Sequence, residues 1–179
     1  MKSDSEIWLQ EKAEKVLREV GIEKNQIVLD FGCGSGYYAI PTAKIVGDKG
    51  KVYALDKDRN RLHEVMQRAE RLKFKNIQTI ETSGEVRIPL GDESVDVTLL
   101  YDVIHSYYFS ATQRKELLTE IHRISKPNAL VSVYPKHMDL DYVSREIERA
   151  NFHFLRKLFV TLLHYHRLEQ DHVLNFLRK

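Results

Sequence analysis

Residues 28–36 read VLDFGCGSG, and the interpretation of the rest of the chain depends on this stretch. A short apolar run that contains an acid and leads into three alternate glycines is typical of a buried strand followed directly by a helix. Glycine permits positive φ angles and lets a ligand lie against bare backbone. The N-terminus of the next helix presents unpaired N–H groups to an anion. We therefore expect a ligand-binding loop at Gly32, Gly34 and Gly36.

The spacing of these glycines separates the loop from two common phosphate-binding loops. A dinucleotide fingerprint, G-x-G-x-x-G, would require a third glycine where Tyr37 stands, and the lysine of a P-loop is also missing. Asp30 suits a positively charged ligand amine, directly or through water, better than a phosphate. A nicotinamide or nucleotide-sugar enzyme is therefore the least favoured interpretation.

A second acid, Asp56, follows Gly36 by twenty residues and ends the next predicted strand. Its two carboxylate oxygens are suited to accept both hydroxyls of a ribose. Alone, Asp30 or Asp56 would more often be a cap or turn residue. In register with the glycine loop, they indicate a ligand with an amino-acid end and a ribose end, for which S-adenosylmethionine is the obvious candidate.

At these residues the chain resembles the class I (Rossmann-like) S-adenosylmethionine-dependent methyltransferases, in the broad type 11 or ubiquinone-biosynthesis-like group. The similarity covers most of residues 26–135 and includes GKVYALD at 50–56, IPL at 88–90, ESVD at 93–96 and KP at 126–127. It is specific for the cofactor and unspecific for the acceptor. The resemblance implies a methyltransferase that converts S-adenosyl-L-methionine into S-adenosyl-L-homocysteine.

The resemblance assigns the ribose to Asp56 and the border of the adenine to Lys57. Family members often carry an aspartate for the adenine amine where this chain has Gly84, which leaves Ser83, Glu85 or a main-chain carbonyl for that contact. The predicted cofactor-binding residues are Asp30, Gly32, Cys33, Gly34, Gly36, Asp56, Lys57, Ser83, Gly84, Glu85 and Tyr101.

Strand and helix patterns alternate around the loop. Strands are predicted at 27–31, 51–55, 77–81, 95–100 and 129–134, and helices at 5–20, 37–46, 59–72, 112–124 and 138–150. Two extended stretches, 152–164 and 165–177, favour a closing antiparallel pair, although 155–163 also fits a buried helix. The predicted fold is α/β: a Rossmann-like three-layer α/β/α sandwich with a mostly parallel seven-stranded sheet and an antiparallel strand at the C-terminal edge.

The length and composition favour one globular domain. The chain has 179 residues, of which 42% are hydrophobic and 30% charged, with a net charge of +2. We expect a single methyltransferase domain over 1–179, with an N-terminal helix cap (1–25), a cofactor-binding core (26–135) and a C-terminal helix with closing strands (136–179). Near-neutral charge gives no strong case for nucleic acid, and the single cysteine and lack of apolar spans suggest a cytoplasmic protein.

The acceptor is expected near the segment that follows the fourth strand, YDVIHSYYF at 101–109. Methyl transfer from a sulfonium is an in-line displacement that needs alignment and exclusion of water. We expect Tyr101 to border the methionine portion of the cofactor, and Asp102 or His105 to orient or deprotonate the acceptor. An equally supported interpretation makes His105 a hydrogen-bonded packing residue.

Aromatic and histidine residues elsewhere are interpreted more conservatively. Trp8, Tyr37 and Tyr38 could cover the cofactor but are more often core residues. His164 and His166 would share one face of a strand, yet no third metal ligand is evident, so a solvated edge and no metal are predicted.

A small-molecule acceptor is expected. The alternatives are an RNA- or ribosome-directed methyltransferase and a non-catalytic S-adenosylmethionine-binding partner module. The sequence does not specify the oligomeric state.

Overall fold

A seven-stranded sheet forms the middle layer of the computed structural model, which describes residues 2–179. The strands are β1 (Ile27–Phe31), β2 (Lys51–Asp56), β3 (Ile77–Glu81), β4 (Val95–Tyr101), β5 (Ser125–Tyr134), β6 (Phe152–His164) and β7 (Arg167–Arg178). Their order across the sheet is β3-β2-β1-β4-β5-β7-β6. The predicted strands are therefore all present, with β5 beginning four residues earlier than predicted.

The helices lie between the strands, as the alternating patterns predict. They are α1 (Asp4–Ile7), α2 (Ala13–Val20), α3 (Ala39–Val46), α4 (Arg59–Arg71), α5 (Ala111–Ile124) and α6 (Leu140–Glu148). Side-chain caps start several of them: Asp58 accepts a hydrogen bond from the backbone of Asn60 at the start of α4, and Ser110 forms a capping box with Gln113 at α5.

Most neighbouring strands of the sheet are parallel. The parallel pairs are β1–β2, β1–β4, β2–β3 and β4–β5, and the segments between consecutive strands are long enough for the crossovers that parallel pairing requires. β7 runs antiparallel to both of its neighbours, β5 and β6. This arrangement confirms the predicted mostly parallel sheet with an antiparallel strand near its C-terminal edge.

Two apolar cores flank the sheet. One core joins the N-terminal helices, α3 and α4 to one face, with Leu17, Ile45 and Val65 among its buried members. The other joins α5 and α6 to the opposite face through Leu117, Ile121 and others. Because helices cover both faces of the sheet, the sequences of the central strands are nearly continuous runs of apolar residues.

The turn between β6 and β7 corrects one sequence interpretation. β6 ends at His164, and Tyr165 and His166 form a two-residue turn with φ of 45° and 65°. Two positive φ angles are characteristic of the tight turns that match strand twist. His164 and His166 therefore do not share a strand face, and the expectation of a solvated edge is wrong for His164, whose side chain is only 12% exposed.

The N-terminal helix departs from regular α-helical geometry where Trp8 enters the core. Residues Trp8–Lys12 form a π-helical turn, in which the backbone N–H of Ala13 donates to the carbonyl of Trp8. The wider turn lets Trp8 and Ala13, five residues apart, both be fully buried. Trp8 is thus a core residue, and its indole N–H donates to the carbonyl of Tyr37 at 2.8 Å.

Among residues 2–179, no helix combines the length and the apolar composition that crossing a bilayer requires.

The last glycine of the loop is needed for packing, which yields a stability prediction. Gly36 has φ of 79°, and a Cβ there would lie 2.9 Å from Cγ2 of Val65 on α4. We expect Gly36→Ala to lower the free energy of unfolding by about 1–3 kcal/mol, because it adds both strain and overpacking. Gly91→Ala is the matched control, because a Cβ at Gly91 meets nothing within 4 Å. It should change the free energy of unfolding by less than about 0.5 kcal/mol. Equal urea midpoints for the two variants would contradict this role.

Candidate active site

A cavity of about 500 Å³ opens at the carboxyl ends of the parallel strands. Its lining comes from the loops after β1, β2, β3 and β4, together with the β6–β7 turn. Ligands in open α/β sheets bind at this edge, where the strand order reverses between β1 and β4. The volume lies within the range of small-ligand sites.

Asp56 fixes the glycine loop in place. Its Oδ2 accepts a hydrogen bond from the backbone N–H of Gly34 at 2.8 Å, and its Oδ1 accepts one from Asp58 at 2.9 Å. The backbone N–H groups of Gly32 and Cys33 donate to the carbonyl of Leu55 at 2.8 and 2.9 Å. Each carboxylate oxygen has two lone pairs, so Asp56 retains acceptor capacity toward the cavity.

Asp30 lies behind the loop and is not part of the cavity wall. It is only 2% exposed, and its Oδ2 is buried without a hydrogen-bond partner. Burial, with the nearby Asp56 carboxylate as the second cause, raises the pKa of Asp30 to about 7. An unpaired buried carboxylate oxygen is costly and indicates an absent partner such as an amine or a water molecule.

The cavity brings most of the predicted cofactor-binding residues together. Those that line it are Gly32, Cys33, Gly34, Asp56, Lys57, Gly84, Glu85 and Tyr101. Three others do not: Asp30 is buried, Gly36 packs against α4, and Ser83 is exposed outside the cavity wall. Burial raises the pKa of the Cys33 thiol well above its usual range, which disfavours the reactive thiolate.

Sequence reasoning missed several residues of the cavity wall. Thr82 lines it beside Gly84, and its Oγ1 accepts a hydrogen bond from the backbone N–H of Gly84 at 3.3 Å. Arg61 on α4 also faces the cavity. Their positions in the sequence could have identified them: Thr82 directly follows β3 and Arg61 lies at the start of α4, and the loops after parallel strands share one edge of the sheet.

The β6–β7 turn, which lies near the C-terminus of the chain, forms part of the cavity wall. The hydroxyl of Tyr38 donates to the carbonyl of Leu163 and accepts from its N–H, both at 3.0 Å. This pair of hydrogen bonds places Leu163, His164 and Tyr165 in the cavity wall. Tyr38 packs edge-on against Tyr101, with ring centroids 4.8 Å apart. Tyr37 and Tyr38 thus pack partly against the core and also cover the cavity.

Tyr101 is a fixed element of the wall. Its hydroxyl shares a buried hydrogen bond of 2.9 Å with Ser132 on β5. Burial raises the pKa of Tyr101 well above its usual range, so the phenol stays protonated.

The two predicted catalytic residues are neighbours, but only one reaches the cavity. Asp102 lines it and has a positive φ of 54°, an uncommon conformation for a non-glycine residue. Its Oδ1 lies 3.7 Å from Nε2 of His105, and its Oδ2 lies 3.0 Å from Nε2 of His164. His105 is 7% exposed, and burial lowers the pKa of its imidazole. Asp102 therefore lies between two imidazoles, one of them unforeseen.

Comparison with known proteins identifies related sequences. A methyltransferase domain model matches residues 28–128. A demethylmenaquinone methyltransferase of Geobacillus kaustophilus is 28% identical over 150 residues, which are 84% of this chain and 62% of the relative. A 2-phytyl-1,4-naphtoquinone methyltransferase of Nostoc is 29% identical over 125 residues, which are 69% of this chain and 52% of the relative. The chain thus spans between half and two thirds of the length of these curated relatives.

A solved structure supports the predicted fold class. The crystal structure of a SAM-dependent methyltransferase from Aquifex aeolicus has a TM-score of 0.78 and 26% sequence identity to this chain. The match covers 98% of this chain and 93% of the other. The predicted Rossmann-like α/β fold is therefore confirmed over nearly the whole chain.

The buried carboxyl of Asp30 makes stability depend on pH. Between about pH 4 and pH 7 the unfolded chain ionises Asp30 while the native protein keeps it protonated, so the free energy of unfolding falls as pH rises. Relative to Asp30→Asn, the wild type should lose roughly 1.4 kcal/mol per pH unit in this window. Above about pH 7 the two curves should run parallel. Urea unfolding at pH 4.5, 6 and 8 measures the free energy of unfolding of both proteins. A difference between wild type and Asp30→Asn that stays constant over these pH values would contradict the raised pKa of Asp30.

Proposed function

Because the chain belongs to the methyltransferase domain family, we propose that it transfers a methyl group from S-adenosylmethionine to a small aromatic acceptor. The observation that carries the proposal is the glycine loop after β1, held by the Asp56 carboxylate at the wall of a cavity of about 500 Å³. A cavity of this size suits a nucleoside ligand and leaves room for a small acceptor.

The residues present fit S-adenosylmethionine. Asp30 has an unpaired buried oxygen next to the cavity wall, where a water molecule that also contacts an amino-acid ammonium would supply the missing partner. Asp56 has acceptor capacity left for ribose hydroxyls. Lys57 and Glu85 border the region assigned to the adenine, with Thr82 beside them. We assign the adenine amine to Glu85 or to a main-chain carbonyl, since Ser83 does not line the cavity.

The chain's own residues align the reactants and keep water out. When bound, S-adenosylmethionine supplies an electrophilic methyl group on a sulfonium. Tyr101 and Tyr38 provide a rigid wall around the methionine region, because hydrogen bonds fix both hydroxyls. The β6–β7 turn lines the same cavity. Fixed alignment and desolvation are the main requirements of an in-line displacement.

An aromatic acceptor matches a cavity that has several aromatic side chains in its wall. Tyr108, Phe109 and Tyr165 line it, and aromatic side chains pack well against aromatic rings. The two curated relatives are named for quinone acceptors, which agrees with this class. We infer that Asp102 contacts the acceptor and that His105 acts through Asp102 as a positioning residue.

The remaining assignments complete the proposal. The whole chain acts as one methyltransferase domain, with residues 1–25 as a helix cap, 26–135 as the cofactor-binding core and 136–179 as the closing segment. A cytoplasmic location stays a prediction.

The proposed function predicts that the chain binds the cofactor. We expect calorimetry to detect micromolar binding of S-adenosylhomocysteine, about 8 kcal/mol. Asp56→Ala should weaken it roughly 30-fold, about 2 kcal/mol, because a carboxylate that accepts hydrogen bonds from both loop and ribose is lost. Asp48→Ala, which removes an exposed carboxylate between α3 and β2, is the matched control and should bind like the wild type. No binding by the folded wild type would overturn the proposed function.

The proposed function also predicts methyl transfer to an aromatic acceptor. With 1,4-dihydroxynaphthalene as the probe acceptor, we expect S-adenosylhomocysteine to form above the rate without acceptor. Asp102→Asn should lower turnover roughly 100-fold and His105→Ala roughly tenfold, with affinity for S-adenosylhomocysteine changed less than about threefold. His63→Ala, on the exposed side of α4, is the control for loss of an imidazole. Turnover by Asp102→Asn equal to wild type would exclude an acceptor role for Asp102.

A further inference from the structure

Three side chains from distant parts of the sequence meet at the acceptor end of the cavity. They are Asp102 after β4, His137 between β5 and α6, and His164 at the end of β6. One carboxylate oxygen and one ring nitrogen from each histidine lie within 4.8 Å of one another. Two imidazoles and a carboxylate are a recurrent ligand set for first-row transition metals.

We propose that Asp102, His137 and His164 bind one divalent transition-metal ion, such as Zn²⁺, at the acceptor end of the cavity. Atoms bonded to one such ion at about 2.1 Å lie at most about 4.2 Å apart. The site therefore needs a movement of several tenths of an ångström. Of the three residues, His137 is the one with an exposed side chain, and it lies on the loop between β5 and α6, so we expect the movement there.

Unsatisfied polar atoms provide an independent observation. Oδ1 of Asp102 and Nε2 of His164 are buried and have no hydrogen-bond partner, although Nε2 lies only 3.0 Å from Oδ2 of the same carboxylate. Polar atoms in such positions normally have a partner, and each one left without it costs free energy. A cation bound by the carboxylate and by Nε2 gives Nε2 its partner, while the group that faces Oδ1 is Nε2 of His105 at 3.7 Å.

The neighbouring groups orient His164 as a ligand. Its Nδ1 lies 3.5 Å from Oε1 of Glu169. When Nε2 binds a metal ion, the ring proton is on Nδ1, where the Glu169 carboxylate is placed to face it. Glu169 is itself held by the hydroxyl of Tyr134 and by Lys136. This order of carboxylate, histidine and open nitrogen is the arrangement found behind metal-bound histidines.

His105 is excluded as a ligand by its own hydrogen bond. Its Nδ1 accepts from the backbone N–H of Tyr107 at 3.3 Å, so in the neutral ring Nε2 carries the proton. That N–H faces Oδ1 of Asp102 at 3.7 Å. His105 therefore supports the carboxylate from outside the coordination shell.

The local charges favour a cation. Asp102 and Glu169 lie 3.0 and 3.5 Å from the ring nitrogens of His164. The ammonium of Lys136 is paired with Glu169 at 2.7 Å and with Asp171 at 3.0 Å. The group thus keeps an excess of negative charge, which attracts a divalent ion.

Three protein ligands leave coordination positions open toward the cavity, since Asp102 and His164 both line it. An acceptor hydroxyl oxygen is the ligand that fits there, next to the region assigned to the cofactor. This role of the ion rests on the proposed function, whereas the binding of the ion does not.

The test uses the full chain without an affinity tag. After removal of metal with EDTA and exchange into metal-free buffer, we titrate it with Co²⁺, followed by visible absorption, and with Zn²⁺, followed by calorimetry. We expect one ion per chain. His137→Ala, His164→Ala and Asp102→Asn should each weaken binding at least tenfold, whereas His153→Ala, which removes an exposed histidine of β6, should not change it. Glu169→Gln should weaken it roughly tenfold.

Two results would overturn the site: less than one ion per folded chain at millimolar metal, or equal affinity in the wild type and in both His137→Ala and His164→Ala. Titration of the same metal-free samples with S-adenosylhomocysteine separates this proposal from the proposed function. Intact cofactor binding without ion binding overturns the ion site alone, and ion binding without cofactor binding overturns the proposed function alone.

Discussion

The carboxylate of Asp56 holds the site together, because it accepts backbone hydrogen bonds from the loops that follow two adjacent strands. Gly34 and Asp58 donate to its two oxygens at 2.8 and 2.9 Å. The parallel register of β1 and β2 brings these loops to the same edge. Asp56 thereby fixes the shape of the glycine loop before any ligand binds. The loop then loses little conformational entropy when a ligand binds.

A second constraint comes from the C-terminal hairpin. The hydroxyl of Tyr38 bonds to both backbone groups of Leu163, so the turn between β6 and β7 is fixed to the segment that follows the glycine loop. The antiparallel insertion of β7 between β5 and β6 makes this possible, because it returns the chain to the cavity edge. One hairpin thus closes the sheet and completes the cavity wall.

Asp102 lies in the cavity wall between two imidazoles. Its left-handed backbone conformation turns the chain at the end of β4 and directs the carboxylate between His105 and His164. Strain of this kind persists only where the surrounding structure imposes it, and such positions concentrate at functional sites. The residue assigned to the acceptor by sequence has this geometry, whereas its predicted partner His105 lies outside the cavity wall.

The sequence by itself determined the strand and helix pattern, the glycine loop and the two acids that flank it. These features depend on apolar periodicity and on glycine conformation, which are local properties of the chain. Only the tertiary structure decided that Gly36 serves helix packing, that Asp30 lies beneath the loop, and that His137 and His164 reach Asp102. The first two relations depend on the packing of the loop after β1 and of α4, and the third depends on the pairing of β5, β6 and β7. No local pattern encodes which side chains such long-range contacts bring together.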